Sequence, residues 1–205
     1  MVKRQNKLAI FFLGPPGAGK DTQAQLLAKK LNLNFLSSGD IVREKVKKDP
    51  EIKKIYDAGK LTPPKVMIKW TKQAIDVSKS FVFSGALRTL QEAKELILFS
   101  QENGYKIKIF NIEISPEETI KRNLLRARDI ADTEDRIKER LKVYDEQTKP
   151  VLDFLGKQVI QINGEQSIEN TRKDILNAGG WENFSANNGS ACAACQARCS
   201  FAGIK

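Results

Sequence analysis

Five short apolar runs punctuate the chain, and between them apolar residues recur at helical spacing. LAIFFL (8–13) is unbroken and reads as a strand covered on both faces. NFL (34–36), FVFSG (81–85), YKIKIFNIEI (105–114) and QVIQI (158–162) supply the other four strands. A helix is expected over 18–31, another over 38–46 capped by Ser38, and a third opened by Pro50 and closed by Gly59. Thr62-Pro63 looks like the cap and first turn of a helix through KVMIKWTKQAI. The next should run from Arg88 to about Gln101, stopped by Asn103-Gly104. Ser115-Pro116-Glu117-Glu118 is a capping box for a helix to about Arg128. A further helix starts at Asp132, is bent or interrupted at Pro150, and a last one covers 167–176. Strand–helix alternation predicts an α/β fold: a five-stranded parallel sheet between two helical layers, with 38–77 as a small helical insert. From Asn177 the texture changes, and 177–205 is expected to be an appendage of unknown role.

Composition narrows the chemistry. The 205 residues suit one domain, and the formal net charge of +10 fits either an anionic small substrate or a nucleic-acid surface. No zinc finger, aromatic RNA module or dense basic run supports nucleic acid, so that partner is set aside. No apolar stretch is long enough for a membrane span, and the glycine-rich segment after LAIFFL interrupts any leader, so a cytoplasmic protein is expected. There is no histidine, which leaves Lys, Arg, Asp, Glu or a bound metal to do any chemistry. Cys192, Cys195 and Cys199 provide three thiols where structural zinc takes four ligands, so no structural zinc is expected.

GPPGAGKDT, Gly14 to Thr22, lies between the first strand and its helix. Its spacing is G-x-x-x-x-G-K, with Asp21 in the following hydroxyl position and Thr22 one place later. Glycines let successive N–H groups converge on phosphate oxygens, and the helix behind presents its positive end. Lys20 can reach the outer phosphates. The alternatives are a ligand-free Gly/Pro turn or a three-glycine dinucleotide fingerprint, which does not put a lysine at this place.

This loop, continued as QAQLLAKKL, resembles that of the adenylate kinase family of nucleoside monophosphate kinases, in which glycine commonly stands at the Asp21 position. LSSGDIVR (36–43), GKLTPPKVM, SGALRTLQEA (84–93), RARDIADTEDRIKERLKVYDEQTKPVLDFL and VIQINGEQSI resemble later family blocks in the same order, over roughly 8–176. The resemblance implies a P-loop α/β/α fold and reversible phosphoryl transfer from ATP to a nucleoside monophosphate, with Mg2+. It also implies a kinase domain at 1–176, in which 38–77 binds the acceptor and 126–133 forms a short lid without zinc. A monomer suits such moving parts.

Site residues follow from the same resemblance. Gly14, Pro15, Pro16, Gly17, Ala18, Gly19, Lys20, Asp21 and Thr22 would hold ATP's phosphates, Arg122 and Arg126 would lie over ATP, and the turn at Gly164 and Gln166 would flank its base. Ser38, Arg43, Lys60, Leu61, Val66 and Gly85 would meet the acceptor. Lys20, Arg88, Arg128 and Arg140 would grip the transferring group, Arg88, Arg128 and Arg140 also touching the acceptor. Thr22 is the expected metal contact. Ser84 stands where the family carries an aspartate that organises the metal's water shell, which leaves Asp40 or Asp21 to compensate.

Glu92 stands where the family's base-reading glutamine is expected. An ionised glutamate only accepts hydrogen bonds, which suits the two donors of guanine; adenine offers one donor and one acceptor. AMP is the expected acceptor, with GMP or another monophosphate as the alternative, and a nucleotide binder with weak or no transfer as a further one.

Overall fold

The computed structural model describes residues 7–58, 60–126 and 133–181. The expected Gly59 cap, the 127–132 part of the lid with Arg128, and the cysteine tail lie outside the described residues. Five strands, β1 (Lys7–Leu13), β2 (Asn34–Ser37), β3 (Phe81–Ser84), β4 (Tyr105–Glu113) and β5 (Val159–Asn163), form one parallel sheet in the order β2-β3-β1-β4-β5. From β1 the chain goes first to the edge strand β2, returns to β3 beside β1, and then crosses to the other side for β4 and β5. That places a topological switch point at the carboxyl end of β1, where open sheets of this kind leave a crevice.

Strand periodicity splits LAIFFL between two cores. Leu8, Ile10 and Phe12 pack with Val82, Phe110, Ile112 and the apolar face of α1 (Lys20–Leu31). Ala9, Phe11 and Leu13 face the opposite way, against Phe81, Phe83 and the helices behind them. All six are nearly or fully buried, which is why the run carries no polar residue. Phe12 stacks on Phe110 at 5.3 Å, and Phe11 meets Phe81 edge-on at 5.7 Å.

Between β2 and β3 lie α2 (Ser38–Val46), α3 (Pro50–Asp57) and α4 (Pro64–Ala74). Asp49 caps α3, accepting from the N–H groups of Glu51 and Ile52, and Pro50 occupies its first turn. α4 starts at Pro64, one residue beyond the expected proline, and Thr62 does not cap it. α5 (Leu90–Glu102) is capped by Thr89, so Arg88 lies in the loop before it and not in the helix. α6 (Pro116–Arg126) begins at the capping box, with Ser115 Oγ accepting from Glu118 N–H.

The break expected at Pro150 is a single π-helical turn, Tyr144–Thr148, between α7 (Glu134–Val143) and α8 (Lys149–Leu155). Proline has no N–H for the preceding turn and its ring crowds the carbonyl there, so the helix widens before it. The last helix, α9 (Ile168–Gly179), is capped by Ser167 and runs past the expected end at Leu176. Trp181 then folds back against Phe110 at 6.2 Å, joining the first core. Among the described residues no helix is long and apolar enough to cross a membrane.

Trp181 thus belongs to the packed unit, and its indole Nε1 is buried without a partner among the described residues. Trp181→Ala should cost about 2–3 kcal/mol in urea unfolding, while Trp181→Phe, which removes the orphaned donor, should cost under about 1 kcal/mol. Equal losses for the two would contradict this packing.

Candidate active site

The loop after β1 is shaped by what cannot fit. Gly14 has φ 137°, and a Cβ there would lie 2.3 Å from the Ile112 carbonyl oxygen on β4. Gly17 and Gly19 also take left-handed φ, and Gly19 is the N-cap of α1. α1 therefore starts at Lys20, two residues later than its apolar pattern suggests, with Ala18 buried in the core beneath the loop. Its first N–H groups have no intrahelical carbonyl to bind, so they and the helix dipole open toward the crevice. Lys20 Nζ lies across the loop, donating to the carbonyls of Gly14 (2.8 Å) and Pro15 (2.6 Å).

The exit of β3 supplies the opposite wall. Gly85 has φ 72°, donates to the Phe12 carbonyl at 3.0 Å, and leaves no room for a Cβ, which would come within 2.7 Å of Ser38 Oγ. Leu87 is fully buried with φ 57°, a left-handed conformation costing a non-glycine residue roughly 1 kcal/mol. Core packing of its side chain holds that strain and turns the next residue inward. Arg88 is then braced on all sides: its Nε donates to Gly85 O (2.7 Å), its Nη2 to Ser38 Oγ (3.0 Å) and its N–H to Glu92 Oε2 (3.0 Å). Thr148, in the π turn, donates to the Arg88 carbonyl at 3.0 Å. Burial lowers the pKa of Arg88, the carboxylates of Glu92 and Asp21 oppose that, and the guanidiniums of Arg140 and Arg43 add to it.

One cavity collects these groups. Its wall includes Gly14, Pro16, Gly17, Gly19, Lys20, Asp21, Thr22, Ser38, Arg43, Lys60, Leu61, Gly85, Arg88 and Arg140, all of them expected. They come from six places: the loop after β1, the first turn of α1, α2, the segment after α3, the turn after β3, and α7. Polyanion recognition is the chemistry such a wall can perform, with backbone donors on one side and converging cations on the other.

Several expectations are relocated. Ser37, not Ser38, is the N-cap of α2, accepting from Asp40 N–H; Ser38 is the first helical residue and spends its hydroxyl on Arg88. Asp40 pairs with Arg43 at 2.7 Å and is off the wall, so the carboxylate that faces the cavity is Asp21. Pro15, Ala18, Val66, Arg122, Gly164, Gln166 and Glu92 are also off it. Arg122 pairs with Glu118 at 2.6 Å, close beside Gly17. Gly164 donates to Glu113 O at 2.8 Å in the turn after β5, and Gln166 binds Asn163 O and Asp174. The Arg126 side chain and Arg128 fall outside the described residues.

Glu92 sits behind Arg88, only 2% exposed. Its N–H donates to Thr89 Oγ1, and its Oε2 takes the Arg88 N–H, a capping arrangement that ties the start of α5 to the arginine loop.

Other wall residues went unnoticed in the sequence. Tyr56, Thr62, Tyr144 and Thr148 line the cavity, as does Asn123, 1% exposed on α6. Asn123 Nδ2 donates to Thr119 O at 2.7 Å, while its Oδ1 is buried without a partner among the described residues. A Cβ on Gly17 would lie 2.6 Å from that amide, so α6 and the loop are in direct contact. The available signal was Thr119 and Asn123, four apart and polar on a helix face that should be apolar. Arg136 on α7 donates to the carbonyl of Asp57 at the end of α3, bridging those two helices.

Comparison with known proteins decides the family. The family model for adenylate kinase matches residues 12–160. The chain belongs to the adenylate kinase family. Adenylate kinase of Corynebacterium urealyticum is 35% identical over 177 residues, covering 82% of this chain and 97% of its own. Adenylate kinase of Leptospira biflexa is 37% identical over 180 residues, covering 82% and 97%, and that of Corynebacterium diphtheriae 36% over 181, covering 83% and 98%. The protein is an ATP-dependent nucleoside monophosphate kinase.

Members of this family use ATP with Mg2+. The donor set fits that ion: the Asp21 carboxylate and the Thr22 hydroxyl on the wall are hard oxygens. Among the described residues no group of three or more acidic, histidine or cysteine side chains could hold a metal, so phosphate and water oxygens would complete its shell.

Burial pushes the Glu92 carboxyl upward, while the Arg88 N–H and the Arg88 charge pull the other way less strongly. A carboxyl raised in the folded state stabilises the fold fully below the ordinary glutamate range, and that contribution is lost as pH rises through the folded value. Glu92→Gln keeps an acceptor for Arg88 and does not titrate. Its stability relative to wild type should therefore increase as pH rises out of the ordinary glutamate range and then level off, measured by urea titrations at a series of pH values. A difference independent of pH would contradict the burial argument.

Proposed function

We propose that this kinase transfers the terminal phosphoryl group of ATP to AMP, giving two molecules of ADP. The supporting observation is the convergence of Lys20, Arg88 and Arg140 on the cavity bounded by the glycine loop, each carried by a different element. In this reading the loop amides and Lys20 take the β- and γ-phosphates of ATP. Ser38, Arg43 and Arg88 take the acceptor phosphate, and Lys60 and Leu61 close over the acceptor from the insert at 38–77. Arg122 and Arg126 lie over ATP, and Gly164 and Gln166 flank its base.

An acceptor phosphate oxygen forms the new P–O bond as the bond from the γ-phosphorus to the β–γ bridging oxygen breaks, and the electron pair leaves with ADP. The acceptor phosphate is already ionised at neutral pH, so no side chain has to act as a base. That suits a chain without histidine. Lys20, Arg88 and Arg140, joined by Arg128 from the short lid at 126–133, offset the charge spreading over the transferring group. Magnesium supplies further positive charge on the phosphate oxygens when bound, and Thr22 offers it a hydroxyl. The bond from Arg136 to the insert supports a closed arrangement that keeps water from the γ-phosphate.

Adenine is favoured over guanine by where Glu92 lies. A carboxylate reads guanine by offering two acceptors at once, yet Oε2 is engaged by the Arg88 N–H.

Initial rates with AMP, GMP, CMP, UMP and dTMP, each with ATP and Mg2+, test the acceptor. AMP should exceed GMP in kcat/KM by roughly tenfold or more, the scale of one mismatched buried hydrogen bond. GMP equal to or better than AMP would refute the assignment. Lys20→Ala should lower kcat by about a hundredfold or more with the fold intact by circular dichroism; a near-wild-type rate would remove Lys20 from the transfer step.

A further inference from the structure

We infer that Asp21, anchored by Ser84, is the carboxylate with which this kinase steadies the hydrated divalent ion that accompanies ATP. The inference rests on the ATP-binding reading and concerns a pair of side chains that meet only in the fold. Asp21 lies in the first turn of α1, between Lys20 and Thr22, and faces the cavity. Among the charged side chains of that wall, Lys20, Arg43, Lys60, Arg88 and Arg140 suit a polyanion and Asp21 does not. A carboxylate among phosphate donors repels the ligand they gather, unless a cation stands between the two.

Ser84 shows that the carboxylate is held deliberately in place. It is the last residue of β3, 1% exposed, and in register with Phe12 on one side and Ser37 on the other. Its hydroxyl donates to Asp21 Oδ1 at 2.5 Å, across 63 residues of sequence. The sheet thereby fixes the carboxylate over the crevice, instead of leaving it to swing at a helix end. Thr22 adds a second oxygen on the same wall. With no cluster of three or more ligating side chains among the described residues, the ion takes most of its shell from phosphate and water. One oriented carboxylate then acts by accepting hydrogen bonds from that water or by a single direct contact, as Mg2+ sites commonly require.

A competing explanation is that Asp21 only balances the charge of Arg88, to which it is electrostatically coupled. The two make opposite predictions for Asp21→Asn, which keeps an amide oxygen for Ser84 while removing the charge. ATP affinity is measured by calorimetry in EDTA and again in saturating Mg2+, and Mn2+ binding to the enzyme–ATP complex is followed by electron paramagnetic resonance. In EDTA, D21N should bind ATP roughly threefold to tenfold tighter than wild type, because a like charge is gone. In Mg2+ it should bind ATP more weakly, and Mn2+ affinity of the ternary complex should fall roughly tenfold.

Ser84→Ala should lower Mn2+ affinity in the same direction by a smaller factor, roughly threefold, and carries the test if D21N does not fold. Tighter ATP binding by D21N in both conditions, or unchanged Mn2+ affinity in the variants, overturns the inference. Failure of the wild-type protein to bind ATP in either condition would refute the ATP reading beneath it.

Discussion

The close passage of Gly14 across the carbonyl of Ile112 is the constraint on which the site depends. Because the chain leaves β1 with no side chain at that point, it can turn over the edge of β4 and come back as α1 within a few residues. That turn sets the origin of the helix, and with it the direction of its first amides, the reach of Lys20 and the placement of Asp21. A wider turn would move all of these together. The buried run behind it is equally intolerant, since alternate residues of β1 serve separate cores and neither face can give way.

Arg88 shows how a mobile side chain becomes a fixed one. Its guanidinium is held by the turn after β3 and by α2, its amide by α5 and its carbonyl by the π turn. Four pieces of structure agree on one cation. A strained Leu87 just before it is tolerated because the same core that buries Leu87 gains from keeping it there. Preorganised charge of this kind requires little reorganisation when phosphate arrives.

Much of this was legible in residues alone. The five strands follow from apolar runs bounded by turn residues, and the glycine loop, Lys20, Ser38, Arg43, Arg88 and Arg140 do share one cavity as motif order implies. What the sequence hid were relations across distance. Ser84 looked like a missing carboxylate, and only the fold shows it bonded to one. Glu92 looked like a base reader because helical spacing says nothing about whether a buried carboxyl turns to a ligand or to its own chain. Asn123 escaped notice because a single asparagine in a helix is usually solvated, and its contact with Gly17 depends on how α6 crosses the loop. Boundaries shifted where a cap was ambiguous, as between Ser37 and Ser38.

The π turn before Pro150 has the effect of one extra residue slipped into a continuous helix. Each residue advances a helix by about 100°, so the segments on either side are out of phase by that amount. This offset lets Arg140 look into the crevice while Val151 and Leu155 look into the core. A regular helix of the same composition would have to choose between a cation for the ligand and a hydrophobic seam for the sheet.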